Sequence, residues 1–305
     1  MLPSPLRNIV QTLRRMKHES ALSRTRGDLH RTAIAGVSKR KNAIPGPLRL
    51  IYRISDGSSK KDRFPFATKR ACLENFLSVF AGQRERLLII ADNVSEATFE
   101  YVTELHGNVV RTNLGSGAQS WRYAAFDIAL KQWDPAEAVY CIEDDYLHTP
   151  LSPVAVIEGL EVADYVTLYD LPDKYANNSD GGPNPFVENG GELTRVLRTK
   201  SAHWKLTNST TMTFATTVQT LREDYDIWDR HTRERRYPDD LGAFLDLMRK
   251  GRTLISPIPG CATHCEKEWA APGVDWEQVL LNSCRTGQNG DRRIESSAKV
   301  RIETN

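Results

Sequence analysis

Four times between residues 48 and 145 a short apolar run stops at a polar or acidic turn, and this rhythm limits what the chain can fold into. Leu48 to Ile54 (LRLIYRI) ends at Ser55-Asp56-Gly57, and Leu87 to Ala91 (LLIIA) ends at Asp92-Asn93. Asn108 to Arg111 (NVVR) opens into Asn113-Leu114-Gly115-Ser116-Gly117, and Ala138 to Ile142 (AVYCI) runs into Glu143-Asp144-Asp145. Runs this short, rich in β-branched and aromatic residues and bounded by turn formers, read as buried strands. Between them Lys69 to Phe80 carries Cys72, Phe76, Val79 and Phe80 on one helical stripe. Ser95 to His106 suits a helix capped by Ser95, and a third helix follows Gly117 as far as Leu130. The alternation predicts an α/β fold: a doubly wound, mainly parallel sheet flanked by helices. Ligands of such sheets sit beyond the carboxyl ends of the strands, where Asp56, Asp92 and the acidic triplet fall.

Beyond residue 150 the pattern loosens. Tyr165 to Tyr169, Thr210 to Ala215 and Thr253 to Ile258 read as strands, Asp240 to Lys250 as a helix, and 177–191 as a Gly/Asn/Pro loop. A length of 305 residues suits one domain over 46–285, preceded by a basic extension (1–45) and followed by a polar tail (286–305). With 40% hydrophobic and 26% charged residues, the composition excludes a chain dominated by disorder. No apolar run is long enough to span a bilayer, and the first twenty residues lack the apolar core of a secretory signal, so the expected place is the cytoplasm. The five cysteines follow no framework spacing, as in a reducing compartment, and Cys261, His264 and Cys265 lack the fourth ligand of a structural zinc.

The strongest chemical signal is Glu143-Asp144-Asp145. Three consecutive carboxylates after a buried strand repel one another and are not expected all to find ordinary ion pairs, so a positive charge should sit among them. A divalent cation shared between one or two carboxylates and substrate phosphates meets that need. An acidic turn capping the next segment is the plain structural alternative.

Over residues 48 to 276 these features resemble the GT-A glycosyltransferases, in particular family 2. Their acidic DXD-type motif follows a mid-chain strand and matches Glu143-Asp144-Asp145. The resemblance implies Mn²⁺ or Mg²⁺ on Asp145, with Glu143 at the ion, its water or the donor ribose, and Asp144 beside them in the donor site. It implies that Arg53, Ser55 and Asp56, at the end of the first strand, cradle the nucleotide of a nucleotide-sugar. Asp92 matches the acidic residue near the base, and Gly115 belongs to a loop that precedes the acidic motif. The motif departs from the family in being EDD. Tyr237-Pro238-Asp239-Asp240-Leu241 is similar to the acidic pair opening a helix, whose second carboxylate is the general base of inverting members. That makes Asp240, or else Asp239, the base; one of the two would in any case cap the helix. His264, after a Pro-rich strand end, matches a histidine that completes the metal shell in many members.

The expected function is therefore metal-dependent transfer of a sugar from a nucleotide-sugar donor to an acceptor hydroxyl, with inversion. The alternatives are a sugar-phosphate nucleotidyltransferase, for which Ser55 to Lys61 (SDGSSKK) is a partial echo of a basic loop, and a non-catalytic glycan- or nucleic-acid-binding module. His203 to Thr211, rich in hydroxyls and amides around Trp204, suits a sugar pocket or a strand with a polar face. The chain has no P-loop, and Gly115-Ser116-Gly117 alone is weak support for a dinucleotide fold. Residues 1–45 hold ten Lys or Arg against Glu19 and Asp28, although the whole chain carries only +2. Leu6, Ile9, Val10, Leu13 and Met16 recur there at helical spacing. Such a segment suits peripheral contact with the inner membrane face, docking on the domain or a partner, or a transit peptide. The acceptor classes in view are a glycan, a lipid-linked glycan or a polyanion, nucleic acid included.

Overall fold

The first strand is apolar on both sides because both sides are covered. In the computed structural model, which describes residues 45–57, 62–188 and 190–283, β1 (Leu48–Ile54) lies inside a nine-stranded sheet. Leu48, Leu50, Tyr52 and Ile54 enter one core with Cys72, Phe76 and Phe80 from helix α1 (Lys69–Val79) and its end. Ile51 points the other way, into a core with Trp121, Ala125, Phe214, Trp228 and Phe244. Full burial of each such side chain is worth roughly 1.5–3 kcal/mol, so a polar residue on either face would weigh against the strand.

The next elements follow the expected alternation: β2 (Leu87–Asp92), α2 (Glu96–Leu105), β3 (Val109–Thr112), α3 (Gly117–Arg122) and β4 (Ala138–Glu143). Thr68, Ser95 and Ser116 each accept a hydrogen bond from a first-turn N–H and start α1, α2 and α3 respectively. The third helix continues through a π segment (Tyr123–Ala129) to Gln132. β1 pairs in parallel with both β2 and β4, so the carboxyl ends of the three strands lie along one edge.

Then come β5 (Tyr146–His148), α4 (Ser152–Leu160), β6 (Tyr165–Val166), β7 (Val196–Arg198), β8 (His203–Leu206) and β9 (Phe214–Thr217). The described chain continues through α5 (Val218–Glu223), α6 (Tyr225–Thr232), α7 (Asp240–Arg249), β10 (Leu254–Ile258) and β11 (Ala262–His264). The sheet order is β3-β2-β1-β4-β9-β6-β10-β8-β7, and only β8 and β9 run against the other seven. The sheet is thus doubly wound and mainly parallel in strand direction, with mixed pairing in its second half.

β5 and β11 form a separate antiparallel pair that sets His264 opposite Tyr146. The segment 62–64 extends this layer: Arg63 bridges to Glu266 and Phe64 N–H donates to the Cys265 carbonyl at 3.2 Å. Residues 1–44 of the basic extension, and the 286–305 tail, lie outside the described residues. Among the described residues no helix is long and apolar enough to cross a membrane.

Candidate active site

β4 delivers its acidic triplet at the carboxyl edge of the sheet, and there each carboxylate meets its own cation. Glu143 pairs with Arg53 at 3.1 Å, Asp144 with Lys69 at 2.9 Å, and Asp145 with Arg63 at 2.8 Å and with His264 Nε2 at 3.0 Å. This corrects the expectation that such a triplet cannot be paired throughout. The strand turns after Glu143, so its carboxylates fan out toward β1, the start of α1 and the 62–64 segment. Neutralisation comes from 75 or more positions away in sequence (144 − 69 = 75 for the nearest pair), which no local pattern announces.

The three partners differ in setting. Arg53, 7% exposed, is held between Glu143 and the Gly117 carbonyl (3.2 Å), so it ties β1 to the Gly115–Gly117 loop. Asp144 also accepts the Ser55 N–H at 2.9 Å, and Lys69 donates to the Ser55 carbonyl. Burial, and then the neighbouring Asp145 charge, push the Asp144 carboxyl above its ordinary range. Asp145 and His264 lie against Tyr146, whose ring meets the imidazole edge to face at 5.2 Å.

These groups open into one cleft of about 930 Å³. Arg53, Ser55, Asp92, Gly115, Glu143, Asp144, Asp145, Asp240 and His264 all line it. Asp92 is turned partly to structural use: one carboxylate oxygen accepts the Leu114 N–H at 2.8 Å and the Thr112 hydroxyl at 3.0 Å, shaping the loop ahead of Gly115. Gly115 itself has φ +81°, a left-handed conformation that favours glycine. Asp240 stands at the start of α7. Its carboxyl is raised to about 6 by burial, which outweighs the Leu241 N–H; the Glu143 and Asp239 charges add to the rise.

Two expected residues take other positions. Asp56 is not among the lining residues: it accepts the Ser95 N–H at 2.6 Å and the Thr98 hydroxyl at 2.7 Å, satisfying the first turn of α2. Asp239 also lies off the lining. It caps α7 by accepting the Gly242 N–H at 3.0 Å and pairs with His231 at 3.1 Å. Trp204 is fully buried in the sheet core and donates its indole N–H to Thr199, so it offers no face to a sugar; from that stretch only Thr211 reaches the cleft. Thr207 to Ser209 are buried in polar contacts with one another and with Lys174, Asn184 and Glu192, and the buried Thr210 hydroxyl donates to Thr167. Cys265 turns away from His264 to face Cys72, sulfur to sulfur at 3.8 Å.

The cleft also contains residues that sequence reading missed: Arg63, Lys69, Asn93, Asp173, Arg236, Tyr237, Glu266 and Trp269. Only Asn93 carried a recognisable signal, an Asn after a strand-ending Asp, and it adopts φ +53°. Among the described residues, seven carboxylates (Asp92, Glu143, Asp144, Asp145, Asp173, Asp240, Glu266) share the cleft with four fixed cations (Arg53, Arg63, Lys69, Arg236). At an effective dielectric of 20, two like charges 4 Å apart repel by about 4 kcal/mol, so a diphosphate entering this wall needs its charge offset.

No group of three or more His, Cys, Asp or Glu side chains among the described residues could hold a metal alone. Asp145 and His264 fit it as a pair. Their donor atoms, 3.0 Å apart, have the spacing of neighbouring ligands on an octahedral ion with bonds of about 2.1 Å. An ion held by two protein ligands would complete its shell from phosphate and water.

No protein-family model matches the chain, and no curated protein matches it in sequence. Among solved structures, TarS residues 1–349 from S. aureus is similar at 12% identity over 69% of this chain and 58% of that one, with a TM-score of 0.36. A CMP:2-keto-3-deoxy-manno-octonic acid synthetase complexed with CTP is similar at 12% identity, over 80% of this chain and 100% of that one, with a TM-score of 0.40. The galactosyltransferase LgtC gives 12% identity, 65% and 69% coverage and a TM-score of 0.34. Likeness this slight assigns no activity to the chain.

Proposed function

We propose that the cleft binds a nucleotide-sugar with a divalent cation, Mn²⁺ or Mg²⁺, and that the chain is a glycosyltransferase of the GT-A type acting with inversion. The observation that carries this reading is the placement of Asp240, a carboxyl raised to about 6, in the same cleft as the triplet that ends β4. Asp145 and His264 would hold the ion, which, when bound, offsets charge on the departing diphosphate. Arg53 and Lys69 keep Glu143 and Asp144 neutralised, so the negative wall does not oppose the donor. Gly115 lets the backbone approach the nucleotide closely, and Asp92 holds that loop. Asp240 accepts the proton of the acceptor hydroxyl. That oxygen then bonds to the anomeric carbon from the side opposite the diphosphate, and the bond from the anomeric carbon to the phosphate oxygen breaks. The nucleoside diphosphate leaves and the configuration inverts. Trp269 and Tyr237 offer ring faces at the cleft wall for sugar rings.

A second reading, nucleotidyl transfer to a sugar phosphate, is favoured by the gathering of Arg53, Arg63 and Lys69 at the end of β1, where a triphosphate would lie. Both readings are tested by incubating the full chain with Mn²⁺ and a panel of nucleotide-sugars, then with nucleoside triphosphates and sugar 1-phosphates. Release of nucleoside diphosphate supports the first and release of pyrophosphate the second. Neither product, with glycan binding retained, would make the chain a binding module. We extend the proposal to organisation: 46–285 is the catalytic unit, and 1–45 is a docking element for a membrane-borne glycan or polyanionic acceptor.

A further inference from the structure

One side chain lies where the proposed ion would have to go. Arg63 donates to Asp145 Oδ2 at 2.8 Å, and this same oxygen lies 3.0 Å from His264 Nε2. A guanidinium stays charged at any pH the protein meets, so it cannot give up the oxygen by losing a proton. A divalent cation on Oδ2 would be brought close to a fixed positive charge, and one of the two must leave.

Arg63 is built into this position. Its backbone bridges Glu266, the next residue donates to the Cys265 carbonyl, and Lys267 N–H donates to the Asp62 carbonyl at 2.9 Å, so the segment is fastened to the strand end that carries His264. Only the side chain is left to move. It is 22% exposed and lines the cleft, and its Nε is buried without a hydrogen-bond partner among the described residues. A guanidinium has five donors in a planar fork suited to a phosphate.

Resting on the reading of the cleft as a metal and nucleotide site, we propose that Arg63 is a tethered counter-ion that exchanges partners. In the empty enzyme it neutralises Asp145. When ion and nucleotide arrive together, Arg63 yields Oδ2 and turns its fork to the diphosphate. The ion alone must displace Arg63 without offering it another anion; with the diphosphate present, the displaced guanidinium is satisfied. Arg63 therefore couples the two ligands, and the coupling is reciprocal. It is a positioning and binding residue, not the base.

The test is Mn²⁺ binding to the full chain, followed by the electron paramagnetic resonance signal of free Mn²⁺, with and without UDP, GDP, CDP or ADP. Wild type should bind Mn²⁺ about tenfold or more tightly with its preferred diphosphate than alone. R63Q should bind Mn²⁺ alone about tenfold more tightly than wild type, and lose most of the gain from diphosphate. R63K, which keeps the charge but not the fork, should bind Mn²⁺ alone about as wild type does and keep only part of the gain from diphosphate. R63M provides the same measurement should R63Q fail to fold, folding being checked by the thermal melt. Mn²⁺ affinity in R63Q or R63M no higher than in wild type, with the diphosphate gain intact, overturns the exchange while leaving the site reading in place. Absence of Mn²⁺ binding by wild type with every diphosphate overturns the site reading, and this inference with it.

Discussion

Asp240 and Asp145 illustrate how differently two carboxylates of one cleft are held. Burial raises Asp240 to about 6, so it is ionised, and able to accept a proton, only above that pH. The acid limb of kcat/KM should therefore fall near pH 6, and in Asp240→Asn this limb should disappear while turnover drops about 10²-fold or more at unchanged donor affinity. The same shift carries a stability consequence. A carboxyl whose pKa is higher in the folded state than in the unfolded chain stabilises the fold fully below about 4, the ordinary carboxyl value, and loses that contribution as pH rises through about 6. Asn never pays this penalty, so Asp240→Asn should melt higher than wild type at pH 7, by up to about 2 kcal/mol after allowance for partial exposure. An Asp240→Asn variant that keeps the acid limb removes Asp240 from the chemistry. Asp145 should behave oppositely. Its carboxylate serves both Arg63 and His264, so Asp145→Asn should abolish metal-dependent turnover and also cost about 1–3 kcal/mol, read as a lower melting temperature. Full activity of this variant in excess chelator would rule out the metal site.

At the scale of elements, α7 shows why adjacent carboxylates are not equivalent. Asp239 caps the helix, and its carboxylate is shared with His231, which also contacts Asp246 at 2.9 Å. Gly242 is required there: a Cβ would stand 2.5 Å from Asp239 Oδ2 and 2.8 Å from the His231 ring. Asp239→Ala should thus cost about 1 kcal/mol of stability, as loss of an N-cap does, and should lower turnover less than Asp240→Asn does. If Asp239→Asn proves inactive while Asp240→Asn keeps full turnover, the assignment within the pair is reversed. The capping pair was visible in sequence, and the family resemblance favoured its second member, Asp240; that Asp239 is turned from the cleft was not visible, because that depends on His231, eight residues away on α6. Elements with two buried faces were similarly legible: β1 spans Leu48–Ile54, the run read from sequence. α4 was missed because Pro153 and Gly159 interrupt its pattern, and Gly159 is there to let Val166 and Trp204 pack at about 3 Å from where a Cβ would be. β5 and β11 are three residues each, too short to show a period, yet their pairing brings His264 to Asp145.

For the whole molecule, the acids of the cleft were legible and most of its cations were not. A carboxylate that ends an apolar strand violates the local pattern and draws notice, whereas Arg63 and Lys69 stand in polar surroundings where Lys and Arg are ordinary, and only the fold brings them across to β4. Charge is partitioned on a larger scale as well. Residues 1–45 hold ten Lys or Arg against two acids, so the remaining 260 must carry −6 for the total to be +2. Among the described residues, those lining the cleft lie between Arg53 and Trp269. A chain lacking residues 1–45 should therefore hydrolyse its donor slowly at the full-length rate. Transfer to an anionic acceptor should instead fall, because attraction between a basic segment and a polyanion acts over about one Debye length, roughly 10 Å at 0.1 M salt and 3 Å at 1 M. The full chain should lose transfer as salt rises toward the level of the shortened chain, whose own transfer should change little. Both activities, measured for both chains at low and high salt, separate docking from catalysis. A folded shortened chain without donor hydrolysis would show that the extension contributes to the cleft, and the division at residue 45 would fall.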